Sequence, residues 1–482
     1  VPLSLAMSSL VATSDTPTVA VTALDEETFA DWVLRQPSAL QTWLRTTGFY
    51  AKPGTIAFLA TEGDTPAPGA VSRVLFGVGA GQIEDWAALR AGLPVGVYTL
   101  DGDLSAETAH RAALGWAMEA YRFDAMKGAP GVGTNHHERH RENASAPILI
   151  WPEGCAREEV RREIEATALV RDLINTPASH MGPGELAAAA EDLAARHGAT
   201  CTVIVGDDLL AADYPAIHAV GRAAAPSAAP RLIDMTWGNA SDPKVTLVGK
   251  GVCFDTGGLN LKSGGNMKLM KKDMGGAAHV LGLAHMIMSA GLKLRLRVLI
   301  PAVENSVSAA ALRPSDVVLT RSGKTVEIGN TDAEGRVILA DALFAACAED
   351  PELVCDFATL TGAARVALGT DIPALFGNDD TIVAAVLDAA RAEGDPLWAL
   401  PLWQPYARQT ESLLADLRND TDSSYGGAIT AALFLQAFVA SGTPWTHVDQ
   451  MAWNVAGRPG RPVGGEAQGL RAFFRYLKNR FE

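Results

Sequence analysis

Short apolar runs alternate with amphipathic stretches along the whole chain, the pattern of an α/β protein. In the first third, Thr18–Leu24, Thr55–Thr61, Val74–Val78, Val95–Leu100 and Pro147–Trp151 read as strands. Glu84–Gly92 and Ala106–Tyr121 have the spacing of helices, and the polar, glycine-containing Lys127–Ala146 reads as a surface loop. Val160, Ile164, Ala168, Leu169 and Leu173 then recur at helical spacing with charges between them. They predict a long helix over Ala156–Ile174 that stops at Asn175-Thr176-Pro177, where proline cannot continue it. Further strands are predicted at Thr202–Val205, Arg231–Thr236, Val245–Gly249, Leu294–Pro301 and Leu353–Leu360. Further helices are predicted at Gly184–His197, Met274–Ser289, Arg336–Ala348 and Ile382–Glu393. The resulting organisation is an N-terminal α/β domain over residues 1–155, a linking helix over 156–177 and a larger C-terminal domain over 178–482.

Composition narrows the function classes. Hydrophobic residues make up 48% of the 482 and charged residues 20%, enough for large cores and unlike a disordered chain. Forty basic against 55 acidic residues leave a net charge of −15, which repels phosphate backbones and disfavours nucleic acid as a partner. The five cysteines (155, 201, 253, 347 and 355) are odd in number, scattered and without a C-x-x-C pair, so buried thiols in a reducing compartment are expected. No apolar run approaches the roughly 20 residues needed to span a bilayer. The first basic residue is Arg35, too late for the charged start of a signal peptide, and the expected location is the cytoplasm.

Several familiar motifs fail on inspection. No G-x-S-x-G occurs. Ser322-Gly323-Lys324-Thr325 resembles the end of a phosphate loop, but Val318 stands where glycine is required. Gly77-Val78-Gly79-Ala80-Gly81 breaks the dinucleotide fingerprint at Gln82 and reads as a strand-end turn. Glu138 follows the wrong histidine of His136, His137 and His140 for a zinc helix, so this cluster is expected to be a solvated loop.

The chemistry concentrates between Lys250 and Arg336. Lys250 and Asp255 sit at the end of a buried run, Val248–Gly258, where α/β sheets place their ligands, and the paired Gly257 and Gly258 let backbone approach closely. Lys262 follows. Asp273 then opens an apolar helix, and Asn330-Thr331-Asp332-Ala333-Glu334-Gly335-Arg336 precedes another. Singly, each has a structural reading: Asp273 and Asp332 as helix caps, Lys250 paired with Asp255, Lys271-Lys272 as a solvated face. Together, four carboxylates (Asp255, Asp273, Asp332, Glu334) in apolar surroundings would repel one another unless cations intervene. Lys250, Lys262 and Arg336 supply only three charges. Two divalent ions with bridging carboxylates fit that set, and its hard oxygens suit Mn²⁺ or Mg²⁺ beside Zn²⁺.

Val248–Gly258, Met270–Ala278, the heptapeptide Asn330–Arg336 and Asp356–Ala363 resemble the leucine (cytosol) aminopeptidase family of dinuclear metallopeptidases, strongly over about residues 165–440. The resemblance implies a smaller N-terminal α/β domain, a long linking helix and a C-terminal mixed sheet flanked by helices. It also implies a metallo-exopeptidase that releases N-terminal residues, neutral or hydrophobic and leucine-like, from peptides. One metal would be held by Lys250, Asp255, Asp273 and Glu334, and the other by Asp255, Asp332 and Glu334. The ions would be Mn²⁺ or Zn²⁺, with Mg²⁺ or Co²⁺ as alternatives. Lys262 would polarise the scissile carbonyl, and Arg336 would hold a bicarbonate serving as general base. Met270, Thr359 and Gly362 would line the pocket for the first side chain, and the Leu360 and Gly362 backbones would bind the substrate. A homohexamer is implied as well. The chain departs from the common family pattern at Gln450-Met451-Ala452-Trp453-Asn454, which leaves the first-residue preference open. Two other functions stand as alternatives, a dinuclear hydrolase of another amine-bearing substrate and a nucleic-acid-binding regulator.

Overall fold

The computed structural model describes residues 7–60, 71–126 and 146–482; the His136–His140 cluster and nearly all of the Lys127–Ala146 insert lie outside them. The chain divides into two compact units, one of residues up to Ala168 with Ala456–Val463, the other of Leu169–Val455 with Gly464–Glu482. The division falls inside the helix Arg157–Asn175.

The first unit holds a six-stranded sheet in the order Leu10–Val11, Ile148–Ile150, Val97–Asp101, Thr18–Leu24, Val71–Gly77, Ile56–Ala60, parallel except for the last pair. Its core is built on Val21, Phe76, Trp86 and Trp116. Helices Ile83–Gly92 and Ala106–Ala120 approach closely at Gly115, where a Cβ would lie 2.3 Å from the Ile83 carbonyl oxygen. Two helices not anticipated from periodicity, Glu26–Leu34 and Ser38–Thr47, follow the Thr18–Leu24 strand. The first opens on a capping box in which the Asp25 side chain accepts from the Thr28 amide while Thr28 Oγ1 accepts from the Asp25 amide.

The second unit carries a nine-stranded mixed sheet, as the family resemblance implies. Its centre is parallel: Trp445–Asp449, Leu353–Ala358, Lys244–Gly249 and Arg295–Asn305 lie side by side. Arg231–Trp237 and Thr200–Val205 extend one edge antiparallel; Ala374–Gly377 and Trp398–Ala399 complete the other. The strand expected at Leu294–Pro301 runs on to Asn305 because it serves two partners in turn. Arg295–Leu299 pairs with Lys244–Val248, and Ala302–Asn305 pairs with a separate short strand, Gly251–Asp255. Pro301, which has no N–H to give, falls at the jog between them. Helix Gly275–Ala290 covers one face of the central strands, and helix Glu334–Cys347 packs with Val248, Val252, Leu299 and Val303 on the other. Both helices are apolar nearly all round, as buried helices must be. Gly276 lets the first of them press onto the sheet, since a Cβ there would lie 2.0 Å from the Phe357 carbonyl oxygen. No helix among the described residues is long and apolar enough to cross a membrane, and all five cysteines are free, Cys253 and Cys355 fully buried and the other three half-buried.

Candidate metal centre

The parallel strands deliver the first two residues. Lys250 sits at the jog between Lys244–Gly249 and Gly251–Asp255, and Asp255 ends the second strand. Lys250, Asp255, Asp273 and Glu334 are each no more than 3% exposed, and carboxylate oxygens of Asp255, Asp273 and Glu334 lie within 4.8 Å of one another. Lys250 Nζ stands 2.7 Å from Asp273 Oδ2 and 3.0 Å from Glu334 Oε1, and donates to the Thr359 carbonyl at 3.1 Å. Lys262 Nζ stands 2.8 Å from Asp255 Oδ2 and 2.5 Å from Asp332 Oδ1. The three stretches singled out in the sequence therefore meet in one place.

Three of the simpler readings are corrected here. Lys250 does not pair with Asp255; Asp273 and Glu334 take that role, and Lys262 takes Asp255. Neither Asp273 nor Asp332 caps a helix: Met274 and Ala333 occupy the N-cap positions, and no side-chain cap bond forms. Lys271-Lys272 is not a solvated face. Lys271 donates to the Asn175 carbonyl and lies over the Trp453 ring, while Lys272 is 3% exposed, its amine pushed down to about 8 by burial. The turn Met270–Met274 is packed under the sheet's C-terminal edge, so consecutive side chains cannot all reach water.

The signature heptapeptide is readable atom by atom. The Asn330 side chain accepts from the Asp332 amide, making a tight turn. Thr331 Oγ1 donates to the Gly257 carbonyl and accepts from the Asn260 amide, tying the signature to the glycine turn after Asp255. Gly257 (φ 87°) and Gly258 (φ 61°) adopt the left-handed conformation that this turn needs. A Cβ on Gly335 would lie 2.4 Å from Lys250 Cε, so glycine is what lets the lysine pass over the helix start. Arg336 is buried and donates from Nη1 to the Asn419 carbonyl, while its Nε has no hydrogen-bond partner among the described residues.

Sequence reasoning missed the residues that hold these parts in register. Asn305 Nδ2 donates to Asp255 Oδ1 and to the Thr331 carbonyl, and lies 3.5 Å from Glu334 Oε2. Asn419 accepts from the Gly329 and Asn330 amides and donates to the Asn330 carbonyl. Asp449 accepts from the amides of Leu360 and Thr361 and from Thr361 Oγ1. The Leu360 amide is thus already used, which leaves its carbonyl for other partners. Thr359 Oγ1 donates to Asp273 Oδ1 at 2.7 Å, and Met270 is buried in the turn before it. Beside the cluster opens a cleft of about 280 Å³ lined by Asp332, Arg336, Leu360, Thr361, Gly362 and Thr430, among others.

The electrostatics fit a divalent cation. Four carboxylates face two ammonium groups. Burial, aided by the neighbouring Asp255 charge, pushes Glu334 up to about 8, and burial with the Asp273 charge raises Asp255 as well. Burial opposes the charge on both lysines, yet the surrounding carboxylates win and raise Lys250 and Lys262. A buried, oxygen-rich set this short of positive charge suits hard cations.

Comparison with known proteins agrees with this geometry. Residues 168–474 match the catalytic domain of the cytosol aminopeptidase family, and residues 19–131 match the N-terminal domain of the M17 aminopeptidases. The chain belongs to the cytosol aminopeptidase family. It is therefore a metal-dependent aminopeptidase, a metallo-exopeptidase of the hydrolase class. The "Probable cytosol aminopeptidase" of Syntrophotalea carbinolica is 38% identical over 463 residues, covering 89% of each chain. The crystal structure of cytosol aminopeptidase from Coxiella burnetii superposes with a TM-score of 0.90 at 45% identity, covering 98% of this chain and 100% of that one. The bottromycin maturation enzyme BotP, in complex with Mn, matches with a TM-score of 0.83 at 34% identity over 96% of this chain and 99% of its own.

Proposed function

We propose that this cytosol aminopeptidase family member hydrolyses the first peptide bond of short peptides at a two-cation centre held by Lys250, Asp255, Asp273, Asp332 and Glu334. The observation that carries the reading is the convergence of Asp255, Asp273 and Glu334 oxygens within 4.8 Å, interlocked with two lysines and open to the Arg336 cleft. Bound divalent cations supply Lewis acidity and lower the pKa of water. Mn²⁺ or Zn²⁺ suits the donor set, and the Mn in BotP supports the first. For Lys250 to serve as a ligand its amine must be neutral, which a cation has to enforce against the neighbouring carboxylates.

The remaining steps belong to the chain's own groups. The substrate's free α-amine is placed by Asp273, whose other oxygen Thr359 fixes. Lys262 donates to the scissile carbonyl oxygen as negative charge develops on it. Arg336, with a buried Nε free to donate, holds an anion such as bicarbonate, and its fork suits a planar oxyanion better than lysine would. Met270, Thr359 and Gly362 receive the first side chain, and the Leu360 and Gly362 backbones align the peptide. Leucine-like first residues and a homohexameric assembly belong to the same reading, and so does a cytoplasmic setting, which the naming of the relatives as cytosol aminopeptidases supports.

Metal analysis combined with a fluorogenic aminoacyl panel under Mn²⁺ and Zn²⁺ tests it. Activity should vanish on exhaustive chelation and return with either ion, at two ions per chain. N-acetylated substrates should not be turned over. Equal turnover of acetylated substrates, or full activity of the chelated enzyme, overturns the proposal.

A further inference from the structure

Three stretches of chain line the cleft beside the cluster. Asp332 and Arg336 of the signature belong to one, the Leu360–Gly362 loop is the second, and Asp420 and Thr430 come from the third. Its volume, about 280 Å³, is near the lower bound of roughly 300 Å³ for small-molecule pockets and leaves room for one long side chain. Met270, Thr359 and Asp273, to which the first side chain and the α-amine are assigned, do not line it. Leu360 and Gly362, whose backbones align the peptide, do. A peptide running from the cations along this loop therefore brings the residue after the scissile bond into the cleft.

Asp420 is the carboxylate of this cleft that the metal centre does not use. It makes one ion pair among the described residues, from Oδ1 to Arg418 Nε at 2.7 Å, and 22% of its side chain is exposed. Oδ2 has no hydrogen-bond partner among the described residues and is not sealed from open space. Arg418 does not neutralise it alone, because its Nη1 also pairs with Asp422 at 2.9 Å, one guanidinium for two carboxylates. A Cβ on Gly329 would collide with both Asp420 Oδ1 and Arg418 Nε, so the glycine before the signature admits this pair. Arg336, the other charge in the cleft with Asp332, donates to the Asn419 carbonyl and makes no ion pair with Asp420 among the described residues. An apolar side chain entering here would strip water from the free oxygen without replacing its hydrogen bonds. An acidic one would add a like charge, whereas an ammonium or guanidinium answers it.

We propose that Asp420 selects the residue following the scissile bond, the cleft taking a lysine or arginine side chain there. This rests on the aminopeptidase reading and adds a second-residue preference to it. Lysine and norleucine carry the same four-carbon chain, so comparing them isolates the charge.

The test is kcat/KM of the Mn²⁺-loaded enzyme for leucine release from the α-amides of leucyl-lysine, leucyl-norleucine and leucyl-glutamate. The lysine peptide should exceed the norleucine peptide by roughly 5- to 10-fold, between a partly exposed ion pair and a charged hydrogen bond, and the glutamate peptide should fall below both. In Asp420→Asn the lysine-to-norleucine ratio should collapse towards unity. Each ratio compares two substrates on one enzyme, so activity lost to misfolding cancels, and the parent's ratio tests the cleft without any variant. A lysine peptide no better than the norleucine peptide, while leucine is released from both, overturns the cationic preference and leaves the aminopeptidase reading standing. A lysine preference undiminished in Asp420→Asn overturns the assignment to Asp420. Release of leucine from none of the three overturns the aminopeptidase reading itself.

Discussion

At the scale of single residues, the centre assigns its two lysines different work. Lys250 lies deep, between Asp273 and Glu334, and is the amine proposed as a metal ligand. Lys262 arrives from the turn after Gly258, bridges Asp255 and Asp332, and is less buried, with 13% of its side chain exposed. Removing Lys262 takes away no carboxylate. Lys262→Ala should therefore retain both metal ions while kcat falls by roughly 10²–10³-fold, the usual loss for one oxyanion donor. Metal content by mass spectrometry beside steady-state kinetics checks this. Metal loss in step with activity, or a kcat within a few-fold of the parent, would show that Lys262 is a structural counter-ion instead.

At the scale of elements, periodicity located most of the strands and helices, and the site was legible because its carboxylates cluster at their ends. What stayed hidden follows from register. Gly251–Asp255 merged with Lys244–Gly249 into one apolar run, and only the pairing of the 11-residue strand Arg295–Asn305 separates them. Asn305, Asn419 and Asp449 look like ordinary polar residues, because their partners lie 26 to 90 positions away in the chain. Lys272 was misread because adjacent charges suggest solvent, whereas a short turn pinned under a sheet buries one of them. Asp341 shows the same blindness: midway along an apolar helix, it is fully buried and accepts from the amides of Ala216, Ile217 and Arg321. It thereby fastens the helix Pro215–Gly221 and the Arg321 turn to the helix that starts at Glu334. Asp341→Ala strands three N–H groups at once, two of them buried, and should destabilise the fold by about 3 kcal/mol. Denaturant unfolding of the metal-loaded protein measures it, and a change under 1 kcal/mol would mean that the amides find other partners.

Across the whole molecule, a second buried ionic group lies in the central sheet, apart from the proposed metal ligands. His447 on Trp445–Asp449 and Asp356 on the neighbouring strand are directly paired in register, with Nδ1 and Oδ1 2.6 Å apart, while Trp445 Nε1 donates to the other Asp356 oxygen. Phe376 and Trp445 stack on either side of the imidazole. Burial alone would depress the His447 pKa. The Asp356 carboxylate, helped by its hydrogen bond and by Asp449, outweighs both burial and the opposing Arg336 charge, and the net shift is upward. An imidazole whose folded pKa lies above its unfolded reference of about 6.5 contributes stability that is complete below that reference. The contribution is lost as pH rises through the folded value. The Tm difference between the parent and His447→Gln should accordingly be larger at pH 6 than at pH 9, when both proteins carry the same metal load. Taking the difference cancels the pH dependence of metal binding, which is common to the two. A gap that widens with pH would require the histidine to be neutral in the folded sheet and the pair to be a plain hydrogen bond rather than an ionic one.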